Sequence, residues 1–203
     1  MESAPAPRIE IALPDAEVVL FPDWLERTAA DALFAALRTS IAWETHRLRL
    51  FGREIDAPRL SCWIGDPDAV YRYSGTRFAP QPWPEALQPV RAHLVAETGT
   101  EFNSVLANLY RDGDDAMGWH SDDERELGAE PVIASLTLGA TRRFALKHRR
   151  DPAQRAALDL PHGSLLLMAG GTQRHYKHAL PRTRKPVGAR LNLTFRRIFS
   201  QEP

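Results

Sequence analysis

His120 and Asp122 are the residues of this chain whose types and spacing most directly indicate chemistry. They stand two positions apart, so on an extended segment both side chains leave the same face of the backbone. A neutral imidazole and a carboxylate on one face can act as neighbouring ligands of a divalent metal. Because His-x-Asp also occurs by chance in many proteins, its interpretation depends on a third ligand elsewhere in the chain.

The third ligand is expected to be a histidine well downstream, and the candidates are His148, His162, His175 and His178. His162 precedes a glycine in a predicted turn and His148 lies in a basic cluster, so both rank lower. Position alone does not separate His175 from His178. Two histidines and one carboxylate on one side of an ion leave its opposite side open, which is the arrangement of non-haem Fe(II) oxygenase sites.

The segment 190–196 reads Arg-Leu-Asn-Leu-Thr-Phe-Arg, so polar and apolar side chains alternate along it. On a strand, one face would carry Arg190, Asn192, Thr194 and Arg196, while the apolar face could seal a core. Its two arginines would be about 20 Å apart, and a guanidinium binds a carboxylate through two parallel hydrogen bonds. Beside a metal, this face predicts a site for a short dicarboxylate. Taken by itself, a face of this kind is more commonly that of a basic edge strand that faces solvent.

Helical and strand patterns divide the chain unequally. Apolar residues recur at helical spacing at about residues 25–38 and 85–97. Short apolar or alternating runs predict strands near residues 9–21, 58–63, 70–74, 102–110, 132–138, 143–148, 164–168 and 191–198. The acidic stretch 122–130 predicts a loop. Two N-terminal helices followed by many short strands favour an α+β fold whose larger C-terminal part is a sandwich or barrel.

Two short segments before the second helix have two interpretations each. The segment 47–53 places Leu50 and Phe51 between basic residues, before Gly52. It can be a hairpin whose tip inserts into a nucleic-acid stack, or a strand end with Phe51 in the core, and composition alone favours the second. Tyr71 and Tyr73 share a face of a predicted strand, where they can stack on a flat substrate or pack within a sheet.

Composition and charge limit the classes of protein to consider. The 203 residues are 43% hydrophobic and 26% charged, which suits one folded domain and argues against wholesale disorder. The net charge of zero hides an asymmetry, because residues 142–197 contain 14 Lys/Arg and two acidic residues, a net charge of +12. A basic C-terminal portion permits a polyanionic partner such as nucleic acid, whereas scattered charges on a solvated surface are the alternative.

The sequence lacks cysteine pairs, a membrane span and a signal pattern, and this indicates the cellular compartment of the protein. A single cysteine, Cys62, excludes an intramolecular disulfide and fits a reducing compartment. The sequence has no apolar run as long as a membrane span and no basic-then-apolar signal pattern. We therefore expect a cytoplasmic protein with no membrane association, in which about residues 1–8 form a loose leader.

A series of short motifs follows in a fixed order along the second half of the chain. They are Asn108-Leu109-Tyr110 followed by Gly113, His120-Ser121-Asp122-Asp123-Glu124, Ile133-Ala134-Ser135-Leu136-Thr137-Leu138-Gly139, His162-Gly163-Ser164-Leu165, His178-Ala179-Leu180-Pro181 and the segment 190–196. Together they resemble the AlkB-like Fe(II)- and 2-oxoglutarate-dependent dioxygenases, and the resemblance is greatest to the subgroup that acts on double-stranded DNA.

The resemblance implies a double-stranded β-helix (jelly-roll) core with N-terminal helices packed on it. Within that core, Fe(II) would be held by His120, Asp122 and His178, which selects His178 as the third ligand. Arg190 would pair with the distal carboxylate of 2-oxoglutarate, and Arg196 would lie near the end that chelates iron. Four polar residues would complete the 2-oxoglutarate pocket: Asn108, Tyr110, Asn192 and Thr194.

The resemblance also implies direct reversal of DNA alkylation damage. O₂ and 2-oxoglutarate would give succinate, CO₂ and a ferryl oxidant. This oxidant would hydroxylate the N-methyl group of 1-methyladenine or 3-methylcytosine, and the product would release formaldehyde and the repaired base. A base within a duplex would first have to be flipped into the pocket.

Residues before the core and beside the iron would contact the DNA. Phe51 and Gly52, with Arg53 beside them, would form a finger that fills the gap left by the flipped base, which reverses the interpretation of Phe51 from composition. The lesion pocket would be lined by four further residues: Tyr71, Tyr73, Asp123 and Glu124. Its two carboxylates would attract the methylated bases, which are cationic.

The resulting expectation is one AlkB-like dioxygenase domain over residues 1–203, with substrate-recognition hairpins at about 45–75 and the jelly-roll core at about 100–198. Its partner would be alkylated DNA, with duplex favoured over single strands and no obligate protein partner. The alternatives are an RNA or single-strand demethylase of the same chemistry and a non-catalytic nucleic-acid-binding module. A complete metal triad and two arginines argue against the binding module, which would have no use for them.

Overall fold

Strands make up most of the structure, a computed structural model. It describes residues 7–45, 47–50, 53–69, 71–73, 76–78 and 80–199, and for 47–50, 53–55, 71–73 and 76–78 the backbone alone. The helices are α1 (Arg27–Ser40), α2 (Gln88–Thr98) and α3 (Thr172–His175), with 3-10 turns at Glu85–Leu87 and Arg125–Leu127. The strands are β1 (Ile9–Glu10), β2 (Glu17–Phe21), β3 (Arg47–Leu50), β4 (Arg53–Asp56), β5 (Leu60–Gly65), β6 (Tyr71–Tyr73), β7 (Thr76–Phe78), β8 (Ser104–Tyr110), β9 (Met117–His120), β10 (Ile133–Gly139), β11 (Arg142–His148), β12 (Arg155–Leu160), β13 (Leu165–Ala169), β14 (Tyr176–Leu180) and β15 (Arg190–Arg196).

These strands form two larger sheets and two hairpins. The seven-stranded sheet has the order β1-β2-β13-β10-β15-β8-β5, and the four-stranded sheet has the order β12-β11-β14-β9. The pairs β3–β4 and β6–β7 form separate two-stranded hairpins. Every ladder between these strands in the described residues is antiparallel.

Side chains of the central strands alternate between two buried layers. Leu191, Leu193 and Phe195 of β15 belong to the apolar cluster that includes the buried residues of α1 and α2. A second apolar cluster lies between the sheets, where Phe144 of the smaller sheet meets Met168 of the larger one. The layers are therefore stacked as helices, seven-stranded sheet and four-stranded sheet, and the polar residues of β15 face into the space between the sheets.

Local sequence explains both long helices. In α1, Ala30, Leu33 and Leu37 are buried at helical spacing, so one stripe packs on the sheet while the rest of the helix faces solvent. Pro89 lies in the first turn of α2, where its missing N–H is tolerated, and Gly99 ends that helix with φ +66°. None of the helices in the described residues has the length and apolar composition that crossing a membrane requires.

The predicted helices and strands are present, with ends that differ by a few residues. The β3–β4 pairing agrees with the hairpin, one of the two interpretations of segment 47–53 and the one that composition alone did not favour. The predicted acidic loop contains one short 3-10 turn. Strands β7, β9, β12 and β14 have no counterpart among the predictions. These strands are short, and apolar and polar residues do not alternate regularly in β9 or β14. The positions of β9 and β14 therefore depend on pairing with neighbouring strands rather than on the local sequence pattern.

Gly139 ends β10 at the point where that strand pairs with Arg190. Its φ is +85°, which favours glycine, and its N–H donates to Nδ1 of His162 at 2.8 Å. A Cβ at this position would overlap the carbonyl oxygen of Ala189 and lie 2.9 Å from Cε2 of Phe34. A side chain here would therefore displace the backbone just before Arg190.

We expect Gly139→Ala to lower the free energy of unfolding by roughly 2–5 kcal/mol, because left-handed strain adds to overlap with a backbone atom. Gly99→Ala is the matched control, since Gly99 also has a positive φ but no atom within 4 Å of an added Cβ. It should lower the free energy of unfolding by only about 1 kcal/mol. Urea titration of both variants measures the difference, and equal losses would contradict the role given to Ala189.

Candidate active site

Pairing between β9 and β14 brings two histidines together. His178 lies directly opposite His120 in the register, and their ring centroids are 4.2 Å apart at an interplanar angle of 68°. Asp122 follows two residues after the end of β9, and its backbone N–H donates to Oε1 of Gln173 at 3.0 Å. One ligand atom from each of His120, Asp122 and His178 lies within 4.8 Å of the other two.

The surroundings of His120 set its tautomer. Its Nδ1 lies 2.8 Å from the carbonyl oxygen of Gly118, which can only accept, so Nδ1 carries the proton. The lone pair of Nε2 is then free, and Nε2 lies 3.9 Å from Oδ1 of Asp122. This backbone contact orients the imidazole as a metal ligand requires.

The buried charges of the triad are already in the states that bind a metal. Burial raises the pKa of Asp122, but the guanidinium of Arg196 and the two histidines outweigh it and hold that pKa at about 2. Nη2 of Arg196 donates to Oδ1 of Asp122 at 2.8 Å. Burial, with His120 nearby, lowers the pKa of His178 to about 3. At neutral pH the site therefore offers a carboxylate and a neutral imidazole.

Arg190 is a buried cation whose hydrogen-bonding capacity is only partly used. Its side chain is 1% exposed, and its Nη2 donates to Oγ1 of Thr137 at 2.8 Å and to Oδ1 of Asn192 at 2.7 Å. The guanidinium carbon lies 5.3 Å from the ring centroid of Tyr110. Burial lowers its pKa to about 10, so it stays charged at neutral pH. Within the described residues, Nε and Nη1 of Arg190 have no hydrogen-bond partner.

The triad and Arg190 open into one cleft between the two sheets. The residues of the cleft are suited to bind two molecules, a metal ion and an anion. Two imidazoles and one carboxylate fit Fe(II) with positions left open, whereas a buried guanidinium with unused N–H groups fits a carboxylate, since leaving such a charge unpaired is costly. A metal and an anionic co-substrate therefore both fit the residues present.

Known proteins are similar to this chain in sequence or in fold. Residues 17–196 match the 2OG-Fe(II) oxygenase superfamily. DNA oxidative demethylase ALKBH2 of Homo sapiens is 40% identical over 183 residues, which cover 85% of this chain and 70% of that protein. Alpha-ketoglutarate-dependent dioxygenase alkB homolog 3 of Rattus norvegicus is 35% identical over 221 residues, covering 98% of this chain and 73% of that protein. The chain belongs to the 2OG-Fe(II) oxygenase superfamily.

Within the superfamily this chain is an AlkB-like dioxygenase, and its cofactors are Fe(II), 2-oxoglutarate and O₂. Its fold is that of the superfamily, mostly antiparallel sheets with few helices. The solved structure of OsALKBH1 matches it with a TM-score of 0.61 over 89% of this chain and 97% of that chain. At 18% identity this likeness shows the fold alone.

The cleft of the dioxygenase brings together every residue that the sequence assigned to iron or 2-oxoglutarate. They are His120, Asp122 and His178, with Asn108, Tyr110, Arg190, Asn192, Thr194 and Arg196. The other candidate histidines lie elsewhere. His148 and His175 stack on each other with centroids 5.9 Å apart, and Nε2 of His162 lies 3.1 Å from Oδ1 of Asp31.

The residues assigned to the substrate are not brought together in the same way. Asp123 and Glu124 do not line the cleft, and Asp123 forms an ion pair with Arg149 on an adjoining surface groove. Phe51 and Gly52 lie outside the described residues. The backbones of three others are placed on the hairpin strands, without described side chains: Arg53 in β4, and Tyr71 and Tyr73 in β6.

Four residues in or beside the site were not predicted from the sequence. Arg59 is buried and its Nε donates to Oδ1 of Asn108 at 2.8 Å. Ser135 lines the cleft, and its hydroxyl donates to Oδ1 of Asn192 at 3.1 Å. Ser135 and Thr137 are the polar residues of the otherwise apolar strand β10, and this pattern could have identified both as candidate site residues from the sequence. Gln173, which holds the backbone of Asp122, gives no signal in the sequence.

His178 gives the metal-free protein a distinct pH dependence. The folded state binds a proton at His178 less readily than the unfolded state, because the pKa is about 3 when folded and 6.5 ordinarily. Its contribution to stability is therefore complete above pH 6.5 and is lost as the pH falls toward 3, with about 2 kcal/mol lost by pH 5. Asp122 contributes above its ordinary pKa of 3.8 and loses that contribution only as the pH falls to about 2.

We therefore expect the free energy of unfolding of the metal-free protein to fall between pH 7.5 and pH 5, and to fall less in His178→Gln, which cannot titrate. Urea titrations of both proteins at the two pH values measure the difference. Identical pH dependence would show that His178 is not held neutral by burial.

Proposed function

We propose that this dioxygenase removes methyl groups oxidatively from alkylated DNA bases, 1-methyladenine and 3-methylcytosine, and so repairs DNA by direct reversal with release of formaldehyde. The observation that carries the proposal is the cleft in which a His-Asp-His triad faces a buried guanidinium with unused donors. The substrate class is supported by the relatives named DNA oxidative demethylase, of which the Homo sapiens protein is 40% identical to this chain.

In this proposal, His120, Asp122 and His178 hold Fe(II). Bound iron, with 2-oxoglutarate and O₂, supplies the oxidation of the N-methyl group. Arg190 binds the distal carboxylate of 2-oxoglutarate with donors that the protein leaves unused, since only its Nη2 donates to Thr137 and Asn192. The remaining assigned residues shape that pocket: Asn108, Tyr110, Asn192 and Thr194.

Arg196 has a role at the metal as well as at the co-substrate. Its hydrogen bond to Oδ1 fixes one carboxylate oxygen of Asp122 and keeps that group ionised. Gln173 fixes the backbone of the same residue. The ligand thus enters the reaction already oriented, and both contacts reduce the reorganisation that metal binding requires.

The substrate base must leave its stack to reach a cleft between two sheets, so base flipping is part of the proposed mechanism. We assign Phe51, Gly52 and Arg53 to the finger that fills the gap, and Tyr71, Tyr73, Asp123 and Glu124 to the lesion pocket. For Asp123, this requires its carboxylate to leave Arg149 and turn toward the base. The sequence of the hairpin supports a preference for duplex DNA, because an apolar tip is useful only where a stack must be filled.

The proposed organisation is a single dioxygenase domain over residues 1–203. About residues 1–8 form a leader, about 45–75 form substrate-recognition hairpins and about 100–198 form a jelly-roll core with the N-terminal helices packed on it. Two facing antiparallel sheets support the core assignment, and the hairpins β3–β4 and β6–β7 support the second segment. Buried residues of α1 and α2 share one apolar cluster with β15, which supports the packing of the helices.

We expect the protein to demethylate a duplex oligonucleotide with one 1-methyladenine when Fe(II), ascorbate and 2-oxoglutarate are present. Mass spectrometry of the DNA measures repair, and succinate is measured in parallel. Asp122→Ala should reduce both to background, because it removes one ligand of the triad and the carboxylate to which Arg196 donates.

The same lesion in single-stranded DNA and in RNA separates the alternatives. Repair of single strands alone would keep the iron chemistry and exclude the preference for duplex. Succinate formation without repair of any strand would point to another substrate, whereas the absence of both products would favour the non-catalytic binding module.

Arg190→Lys should raise the KM for 2-oxoglutarate about 10–100-fold, because a hydrogen bond to a charged group contributes roughly 1.5–3 kcal/mol. Lysine keeps the charge but loses the planar guanidinium and its unused N–H donors. Mn(II) binding, measured by electron paramagnetic resonance, should be unchanged, since Arg190 does not contact the triad. Arg143→Lys on the exposed side of β11 is the control and should leave KM unaltered. An unchanged KM in Arg190→Lys would exclude Arg190 as the carboxylate ligand.

A further inference from the structure

The outer face of the four-stranded sheet carries exposed charged side chains on β11 and β12. The inner face of this sheet packs against the seven-stranded sheet, and the buried residues of α1 and α2 cover the far side of that larger sheet. Along β11, the residues that alternate with buried Phe144 and Leu146 are Arg143, Ala145 and Lys147, of which the two charged ones are exposed. Within the described residues, no helix covers this face.

Three basic residues lie side by side across this face. In the strand registers, Lys147 of β11 is directly opposite Lys177 of β14 on one side and directly opposite Arg155 of β12 on the other. We call these three residues the basic row. Neighbouring strands are about 4.8 Å apart, so the row places three positive charges within about 10 Å. Like charges directly opposite each other on a sheet destabilise it.

No acidic residue compensates the basic row. In the part of the chain that the structure describes, none of the three forms an ion pair. The one carboxylate on the neighbouring strand positions, Asp159, lies opposite Arg143 and 3.5 Å from its Nε. The row therefore bears an electrostatic cost that the folded chain does not offset by itself.

One member of the row is held in place by an aromatic ring. Nζ of Lys147 lies 4.2 Å from the ring centroid of Trp119, which is 44% exposed. A cation–π contact of this kind orders a side chain that would otherwise sample many rotamers. Trp119 directly precedes His120 in β9, so its contact with Lys147 links the basic row to a strand that carries one residue of the triad.

We propose that the basic row is a contact site for the phosphates of DNA, outside the cleft that takes the target base. This inference rests on the proposed function, because it describes how the same substrate is held. Phosphates between the three cations would remove their mutual repulsion and release counterions, which gives favourable binding without any base contact. The even spacing of the row across three strands and the ordered Lys147 fit a regular polyanion, and the edge strand β9 connects that surface to the cleft.

The test is the salt dependence of binding to an unmodified DNA duplex of about 20 base pairs, measured by fluorescence anisotropy. The variant Lys177→Gln/Arg155→Gln removes both ends of the row and leaves Lys147 on Trp119. The slope of log K against log salt falls by about 0.9 for every phosphate that the protein no longer neutralises. We therefore expect this variant to lose roughly 2 from the slope and to bind DNA more weakly at low salt.

The matched control is Arg27→Gln/Arg38→Gln, which removes the same number of charges from exposed positions of α1 on the opposite side of the larger sheet. It should leave the slope near that of the wild type. Thermal unfolding gives a second readout, because removing like charges from the row should leave the midpoint unchanged or raise it. A structural role of the row would instead lower the midpoint.

Binding of lesion-free DNA is measured without catalysis, so the inference and the proposed function fail separately. Equal slopes for the row variant and the wild type would overturn the inference even if methylated DNA is repaired. A fall in slope would support it even if 1-methyladenine is not the substrate. Vesicles with phosphatidylserine form the last arm: if the row variant lost binding to vesicles alone, the partner would be a membrane surface and the inference would be wrong.

Discussion

The ion pair between Arg196 and Asp122 joins the two sheets at the active site. Arg196 ends β15 in the larger sheet, Asp122 follows β9 in the smaller one, and both side chains are 5% exposed with 2.8 Å between Nη2 and Oδ1. A buried ion pair contributes little net stability, because desolvation of the two charges offsets their attraction. Its value here is positional, since it holds a carboxylate ionised and oriented where burial alone would favour the protonated form.

The charges of the cleft suit a divalent metal and a dianion together. Asp122, Arg190 and Arg196 sum to a single positive charge at neutral pH, with His178 held neutral. A metal alone would raise this sum to three positive charges in a buried space, whereas the dianion 2-oxoglutarate returns it to one. Each of the two ligands therefore lowers the electrostatic cost of binding the other. Arg190 also suits an anion, because its Nε and Nη1 have no acceptor among the described residues.

The alternation in β15 predicted its two sides, of which the apolar one packs in the cluster that contains the helices and the polar one lines the cleft. The alternation alone also fitted a solvent-facing edge strand, and only the nearby metal motif favoured the inward orientation. The choice between His175 and His178 could not be made from position. It depends on the pairing of β14 with β9, a long-range register that local patterns do not encode. Gln173 was missed for a similar reason, because its contact with Asp122 spans 51 positions.

That register also links the active site to the outer surface. In β14, His178 points into the cleft and Lys177 points to the opposite face, as successive residues of a strand must. The pairing with β11 then sets Leu146 against His178 inside and Lys147 against Lys177 outside. A shift of one residue would place a lysine in the metal site and a histidine on the surface. The repulsion between two facing lysines is thus inseparable from the geometry of the triad, and a polyanion bound outside would stabilise the same register that assembles the site within.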